Sequence, residues 1–287
     1  MKKALFLYYS QTGQTERAMQ MLSKGFGQMA DCETFAYTVS EDFNFPWKMT
    51  SFFRAFPRCV LGLAPPIKNF PANLEDYDLI FLGGQVWFLS PSLPLWSFLQ
   101  SDHARALRGK KIITVVTCRN IWYSALKSVI KSINEWGGIF LGQITICEVS
   151  PLWASFVTTP RWMLTGNKEP FAFFPAAGIR EEDFIKLEVL GRDLAKSWLN
   201  SNESTVDQNL LKSNLDRPSL RLMNKIGYPV FKFWARLIMR VAPHSGLSQD
   251  IWLILFRINL LVLIVLITPY TKMVEVFLGK KSAAFSN

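Results

Sequence analysis

Apolar and polar positions along this chain change in blocks rather than residue by residue. Lys3-Ala4-Leu5-Phe6-Leu7-Tyr8-Tyr9 is a short continuous apolar and aromatic run, as expected of a strand buried on both faces of a parallel sheet. From Glu16 to Phe26 the apolar residues return at helical spacing, with Ala18, Leu22 and Phe26 four apart and Met19 beside them. That pattern predicts a helix with one face on the sheet. The same alternation then repeats. Strands are predicted at Glu33–Val39, Tyr77–Gly84, Lys110–Thr117 and Phe140–Val149, and helices at Leu93–Gln100, Ser124–Trp136 and Ile179–Leu199. The last helix is marked by Phe184, Leu187, Leu190, Leu194 and Trp198, spaced three or four residues apart. Five strand-helix units predict an α/β, doubly wound parallel sheet with its ligand at the carboxyl ends of the strands.

Two stretches break the rhythm. Phe43–Pro71 carries Phe43, Phe45, Trp47, Phe52, Phe53 and Phe56 among five prolines, Pro57 included. It reads as an aromatic insertion without a tidy helix, either an ordered cover over the sheet or a hydrophobic wall for a greasy substrate. Pro151–Pro175 is a second aromatic insertion, with Trp153, Phe156, Trp162, Phe171, Phe173 and Phe174. The pattern divides the chain into a domain at 1–199, a polar linker at 200–218 and a C-terminal region at 219–287.

In that last region Leu220–Val241 interleaves apolar residues with Arg221, Lys225, Lys232, Arg236 and Arg240. Gly227 and Pro229 are expected to kink or split it into two helical pieces. Such a segment suits an anionic membrane surface or packing against the domain. Ile251–Thr268 is apolar except for Arg257 and Asn259, and at about 1.5 Å per residue it reaches roughly the hydrocarbon thickness. Spanning and interfacial embedding are both open.

Charge sharpens this division. The 287 residues carry a formal net charge of +10. Of this, +8 belongs to Gln208–Asn287 and +2 to the rest. The basic surplus is therefore a property of the C-terminal region, and no nucleic-acid partner is expected. Four cysteines and two histidines show no metal-ligand spacing, so no metal is expected. A reduced protein at the cytoplasmic face of the inner membrane, without a signal peptide before the first strand, is the expected setting.

The turn after the first strand holds the candidate chemistry: Ser10-Gln11-Thr12-Gly13-Gln14-Thr15. A helix N-terminus leaves backbone N–H groups without partners and attracts phosphate, while Ser10, Thr12 and Thr15 add hydroxyls and Gly13 permits close approach. The loop lacks both the Gly-Lys-Ser/Thr ending of a triphosphate loop and the three-glycine dinucleotide spacing. A monophosphate held without a lysine fits better. Gln85, Val86, Trp87 and Phe88 follow the third strand, where an aromatic can stack on a ligand ring.

These residues carry a resemblance. Ser-x-Thr-Gly-x-Thr after an N-terminal strand resembles the phosphate loop of flavodoxin-like proteins, which bind FMN. The resemblance covers residues 1–199 and implies sheet order 2-1-3-4-5. It also implies flavin contacts from Gln85, Val86, Trp87 and Phe88, and from Thr117, Cys118, Arg119 and Asn120 after the fourth strand. Within this family, Phe45-Pro46-Trp47, Cys59-Val60-Leu61-Gly62 and Trp87-Phe88-Leu89-Ser90-Pro91-Ser92 resemble the flavodoxin-like protein of bacterial dialkylresorcinol biosynthesis, often labelled a condensing enzyme. Carbon–carbon condensation typically uses a nucleophilic cysteine with histidine partners, which this sequence does not offer in any motif. An FMN-dependent oxidation of a hydrophobic, lipid-like substrate is the implied activity, such as aromatisation of a dialkyl cyclohexanedione, with Tyr123 as a candidate for handling the proton. A membrane-tethered electron carrier serving a redox partner, or a quinone reductase, is the competing expectation.

Overall fold

The computed structural model describes residues 2–71, 74–148, 152–200, 207, 210–211 and 217–284. Its centre is a parallel sheet of β1 (Lys3–Tyr8), β2 (Asp31–Ala36), β3 (Leu79–Trp87), β4 (Lys111–Cys118) and β5 (Ile139–Cys147). They lie side by side in the order β2-β1-β3-β4-β5. Two small additions depart from the expected plain sheet. Ser90–Pro91 turns back antiparallel on the end of β3, and Thr38–Val39 leaves β2 to pair with Ile67–Asn69 in a separate ribbon.

Helices cover both faces. On one lie α1 (Gln14–Phe26) and α6 (Glu181–Asn200), closing over Phe6 and Phe81, whose rings stack 4.2 Å apart. On the other lie α2 (Met49–Leu61), α3 (Leu93–Leu99) and α4 (Tyr123–Trp136), over Leu5, Leu7, Ile80 and Leu82. Alternate residues of β1 thus enter two different cores, which is why its apolar run is unbroken. The α1–α6 crossing is unusually close. A Cβ added at Gly25 would meet the Glu188 carbonyl oxygen at 1.8 Å, and one at Gly191 would meet that of Leu22 at 2.2 Å.

Two sequence expectations need correction. The proline-broken stretch contains α2, a regular helix of 13 residues with Pro57 inside it. Burial of Ala55, Phe56, Cys59 and Val60 on one face outweighs the hydrogen bond Pro57 cannot make. Likewise the basic segment is not split. α7 (Pro218–Val241) runs through Gly227 and Pro229, with Phe231, Ala235 and Ile238 buried along one side. Pro229 is exposed.

The C-terminal helices pack on the domain. Phe56 and Val60 of α2 share a core with Phe231 and Ile238 of α7 and with Leu253 and Phe256 of α8 (Leu247–Ala284). Arg54 of α2 forms a two-pronged ion pair with Asp250, Nε to Oδ1 at 2.8 Å and Nη2 to Oδ2 at 2.5 Å. Asn224 of α7 and Ser124 of α4 exchange two buried hydrogen bonds. Both polar interruptions of α8 point inward: Arg257 lies over the Phe53 ring at 5.1 Å, and Asn259 accepts from the Trp234 indole at 3.0 Å. The outer side of the helix is left apolar and exposed at Ile254, Ile258, Leu261 and Val265. Leu247–Leu266 is long and apolar enough to cross a membrane by length and composition. The expected linker at 200–218 lies mostly outside the described residues.

Candidate functional site

The parallel register brings the ends of β1, β3 and β4 to one level, pairing Tyr8 with Gly83 and Gln85 with Thr117. The Ser10–Thr15 loop starts there and delivers the N-terminus of α1. Gly13 precedes the helix in the left-handed region, φ 80°, and a Cβ built on it meets nothing within 4 Å. The backbone at this turn is therefore open to a ligand. Ser10 Oγ accepts from the Glu16 amide at 3.1 Å and stiffens the turn. Gln11 donates to the Phe43 carbonyl at 3.0 Å, tying the loop to the first aromatic insertion.

The Thr15 hydroxyl is buried, 2.7 Å from the Thr117 hydroxyl and 2.5 Å from Gln85 Nε2, which also donates to the Tyr9 carbonyl at 2.8 Å. Through these bonds Thr15 ties the start of α1 to the ends of β3 and β4. Thr117 is consumed by the same bond. The Gln85 side-chain amide oxygen, Oε1, is buried and makes no hydrogen bond among the described residues, which is costly unless another donor reaches it.

Thr12 and Gln14 line a cavity of about 460 Å³ together with Trp162, Asn167, Lys168 and Glu169. These partners come from α5 (Leu152–Thr165) and the loop after it. The loop itself carries no lysine, and none is legible near it in the sequence. Lys168 is 156 residues from Thr12 in the chain, and only the return of α5 over the strand tips brings it there.

Trp87 stands at the end of β3, its ring edge-on to Phe43 at 5.3 Å and to Trp47 at 5.4 Å. The two insertions meet behind it: the Trp47 amide donates to the Met163 carbonyl at 2.8 Å, and Phe45 packs on Trp162. Phe88 and Leu89 form the tight turn after Trp87, both at positive φ, 50° and 61°. Glycine or asparagine is usual in such turns. Here packing holds the strain, with Phe88 between Phe52 and Phe56 and the buried Cys59 thiol donating to the Trp87 and Pro91 carbonyls. Val86 is half-buried beside Trp122 and Cys118.

The loop after β4 meets α5. Arg119 donates to the Ser155 carbonyl at 3.2 Å and covers the Phe156 ring at 4.5 Å. Burial holds its pKa down to about 10, against the opposing pull of Glu148. Cys118 faces Cys147, and Asn120 is half-buried in the following turn. Tyr123, the proton-handling candidate, opens α4. Its hydroxyl exchanges hydrogen bonds with the Arg217 backbone at the start of α7, and its ring stacks on Trp122, so it serves to seat the C-terminal helix. Among the described residues no group of three or more His, Cys, Asp or Glu side chains could hold a metal.

The residues fit a flavin monophosphate in three respects: an open helix N-terminus with a nearby lysine, a buried amide oxygen lacking a donor, and an aromatic at the adjacent strand tip. The fold and loop together define a doubly wound α/β protein whose Ser10–Thr15 turn opens the N-terminus of α1 at the strand tips. No protein-family model matches the chain, and no curated protein matches it. Similar solved structures are flavoproteins and flavodoxins. One is a flavoprotein in complex with FMN from Lactobacillus acidophilus, 24% identical, covering 50% of this chain and 93% of that one, TM-score 0.40. Another is a flavodoxin, WrbA-like protein from Agrobacterium tumefaciens, 12% identical, covering 68% and 96%, TM-score 0.39. A third is oxidised flavodoxin 1 from Bacillus cereus, 17% identical, covering 66% and 95%, TM-score 0.37. At these TM-scores the functional reading rests on the chain's own loops.

Proposed function

We propose that this chain is an FMN-dependent oxidoreductase that acts on a hydrophobic, lipid-like substrate at a membrane surface. The observation that carries the reading is the meeting of the Ser10–Thr15 loop, Gln85 and Thr117 at one end of the sheet, with Trp87 alongside. Bound FMN would supply hydride chemistry. The open α1 N-terminus, Thr12 and Lys168 would hold its phosphate, and the Gln85 side-chain oxygen Oε1 would accept a hydrogen bond from the ligand. Trp87, backed by Phe43 and Trp47, would give the ring an apolar neighbour and exclude water. The apolar outer side of α8 supports the membrane part of the reading, since a lipid-like substrate would be met there.

The resemblance of three segments to the dialkylresorcinol protein narrows the substrate to a dialkyl cyclohexanedione, which loses a hydride and a proton to become an aromatic resorcinol. The purified full chain should be yellow and release FMN on denaturation. Colourless protein that takes up no FMN would overturn the assignment. Anaerobic addition of a lipidic dione should then bleach the bound flavin and yield the aromatic product. Flavin that exchanges electrons with mediators yet leaves every dione unchanged would make the chain an electron carrier instead. Trp87→Ala should alter flavin fluorescence more than the same change at Trp198, which is buried against Phe26.

A further inference from the structure

Cys118 and Cys147 are the last residues of β4 and β5 and are direct partners in the parallel register. Neighbouring strands lie about 4.7–4.9 Å apart. That spacing falls within the Cα separation of about 4.4–6.8 Å that a disulfide tolerates. The side chains use it: the two sulfurs face each other at 3.1 Å, both as free thiols. Trp122 and Val116 pack around them, with Cys118 half-buried at the strand tip and Cys147 buried. The other two thiols are occupied elsewhere, Cys59 with the Trp87 and Pro91 carbonyls and Cys32 with the Ser23 carbonyl.

We propose that Cys118 and Cys147 form a redox-active dithiol that closes to a disulfide under a two-electron oxidant such as a peroxide and reopens with a thiol reductant. Cys118, the less buried residue of the pair, attacks one peroxide oxygen as its thiolate. The O–O bond breaks, giving a sulfenic acid and a hydroxide that leaves as water. The Cys147 sulfur then displaces the sulfenic oxygen, which leaves as a second water. Two thiols and one hydrogen peroxide become one disulfide and two waters, the sulfurs losing the two electrons that the peroxide gains. Hydrogen bonding to Cys147, with burial, holds the Cys118 thiol well above its ordinary range. Closure is therefore favoured by proximity rather than by a standing thiolate.

The consequence is local. Arg119 and Glu148 follow the two cysteines directly, so a bond between the sulfurs would fix the spacing of β4 and β5 where the candidate site loop leaves the sheet. The dithiol chemistry does not depend on a flavin.

The test uses the full chain, reduced, desalted without oxygen and treated with equimolar hydrogen peroxide. Thiols titrated after denaturation should fall from four to two. Peptide mass spectrometry should show one crosslink, between the peptides holding Cys118 and Cys147, and dithiothreitol should restore all four thiols. Cys118→Ser and Cys147→Ser should each abolish the crosslink. Retention of four thiols, a crosslink through Cys32 or Cys59, or Cys118 driven to sulfinic acid without a bridge would each overturn the proposal. The crosslink is read on the unaltered chain, so its presence or absence is decided whether or not either variant folds.

Discussion

The hydroxyls of Thr15 and Thr117 lie 2.7 Å apart, buried, joining the start of α1 to the end of β4 across 102 residues of sequence. Gln85 donates to the same Thr15 oxygen from β3. Thr15→Val keeps the shape and removes the shared atom, leaving the Thr117 hydroxyl and one Gln85 donor without this partner. It should lower unfolding free energy by about 1–3 kcal/mol even without FMN. Thr12→Ala, at the cavity, should leave stability unchanged and weaken FMN binding by about 1–3 kcal/mol. Urea unfolding and flavin titration of both variants check the separation. If Thr15→Val changed only flavin affinity, the structural role given to Thr15 would be wrong.

Gly25 and Gly191 are where α1 and α6 touch backbone to backbone. A methyl at either position cannot be relieved by turning a flexible side chain, because the obstructing atoms are carbonyl oxygens of the opposite helix. Gly25→Ala and Gly191→Ala should each lower stability by about 1–3 kcal/mol, the cost of overpacking, despite alanine's better helix propensity. Gly109→Ala is the control for a glycine with open space around it, though its φ of 75° carries a strain of its own. Thermal unfolding of the three variants decides it, and a stabilised Gly191→Ala protein would contradict the close crossing.

How legible this was in the sequence follows from the range of the interactions. The strands and helices of the domain announce themselves because each buries a periodic face, as Leu187, Leu194 and Trp198 do in α6. The candidate loop stands out in the sequence because Ser10 to Thr15 are consecutive. Local rules failed at Pro57, Gly227 and Pro229, where packing of α2 and α7 overrides their weak helix propensity. Lys168 and the inward role of Thr15 were invisible because their partners are far off in sequence. The partner of Tyr123, the backbone of Arg217, was hidden for the same reason. The cysteine pair has no local spacing at all. Cys118 and Cys147 meet only through the register of β4 and β5.

Four tyrosines should titrate late, Tyr8 among them, raised by burial with Glu16 nearby. Burial, with Asp42 nearby, pushes Tyr9 up to about 12. Burial and the hydrogen bond to Glu33 push Tyr77 up to about 12. Burial also raises Tyr37, whose hydroxyl donates to the Pro94 carbonyl at 3.2 Å. An unfolded tyrosine ionises near 10, so between about pH 10 and 12 the unfolded chain binds fewer protons than the folded one. Their contribution to stability is thus complete below pH 10 and is lost as pH rises through about 12. Tyrosinate absorbance should show part of the seven tyrosines ionising normally and the rest only together with unfolding. A single transition centred near pH 10, with the fold intact, would contradict the burial of these hydroxyls.

Phe56 and Phe256 stack at 3.8 Å, 10° from parallel, so the helix with the apolar outer face is also part of a core. Truncation after Asp207 removes both roles at once. It uncovers Phe56 and Val60, each losing about 1.5–3 kcal/mol of burial, and the shortened domain should be less stable or aggregate. A sharper test leaves the inner face alone. Ile254, Ile258, Leu261 and Val265 point outward and are 44%, 55%, 64% and 70% exposed, while Leu253 and Phe256 between them are buried. Replacing those four with serine keeps the Phe56–Phe256 stack, the Arg54–Asp250 ion pair and every basic residue of α7. The variant should unfold at nearly the same urea concentration as the unaltered chain and keep its flavin. It should remain in the supernatant when spun with phosphatidylglycerol vesicles that pellet the unaltered chain, because apolar burial has been removed and charge has not. If the unaltered chain also stays in the supernatant, α8 does not serve a membrane. If the serine variant still pellets, the basic face of α7 suffices and the apolar face has another use.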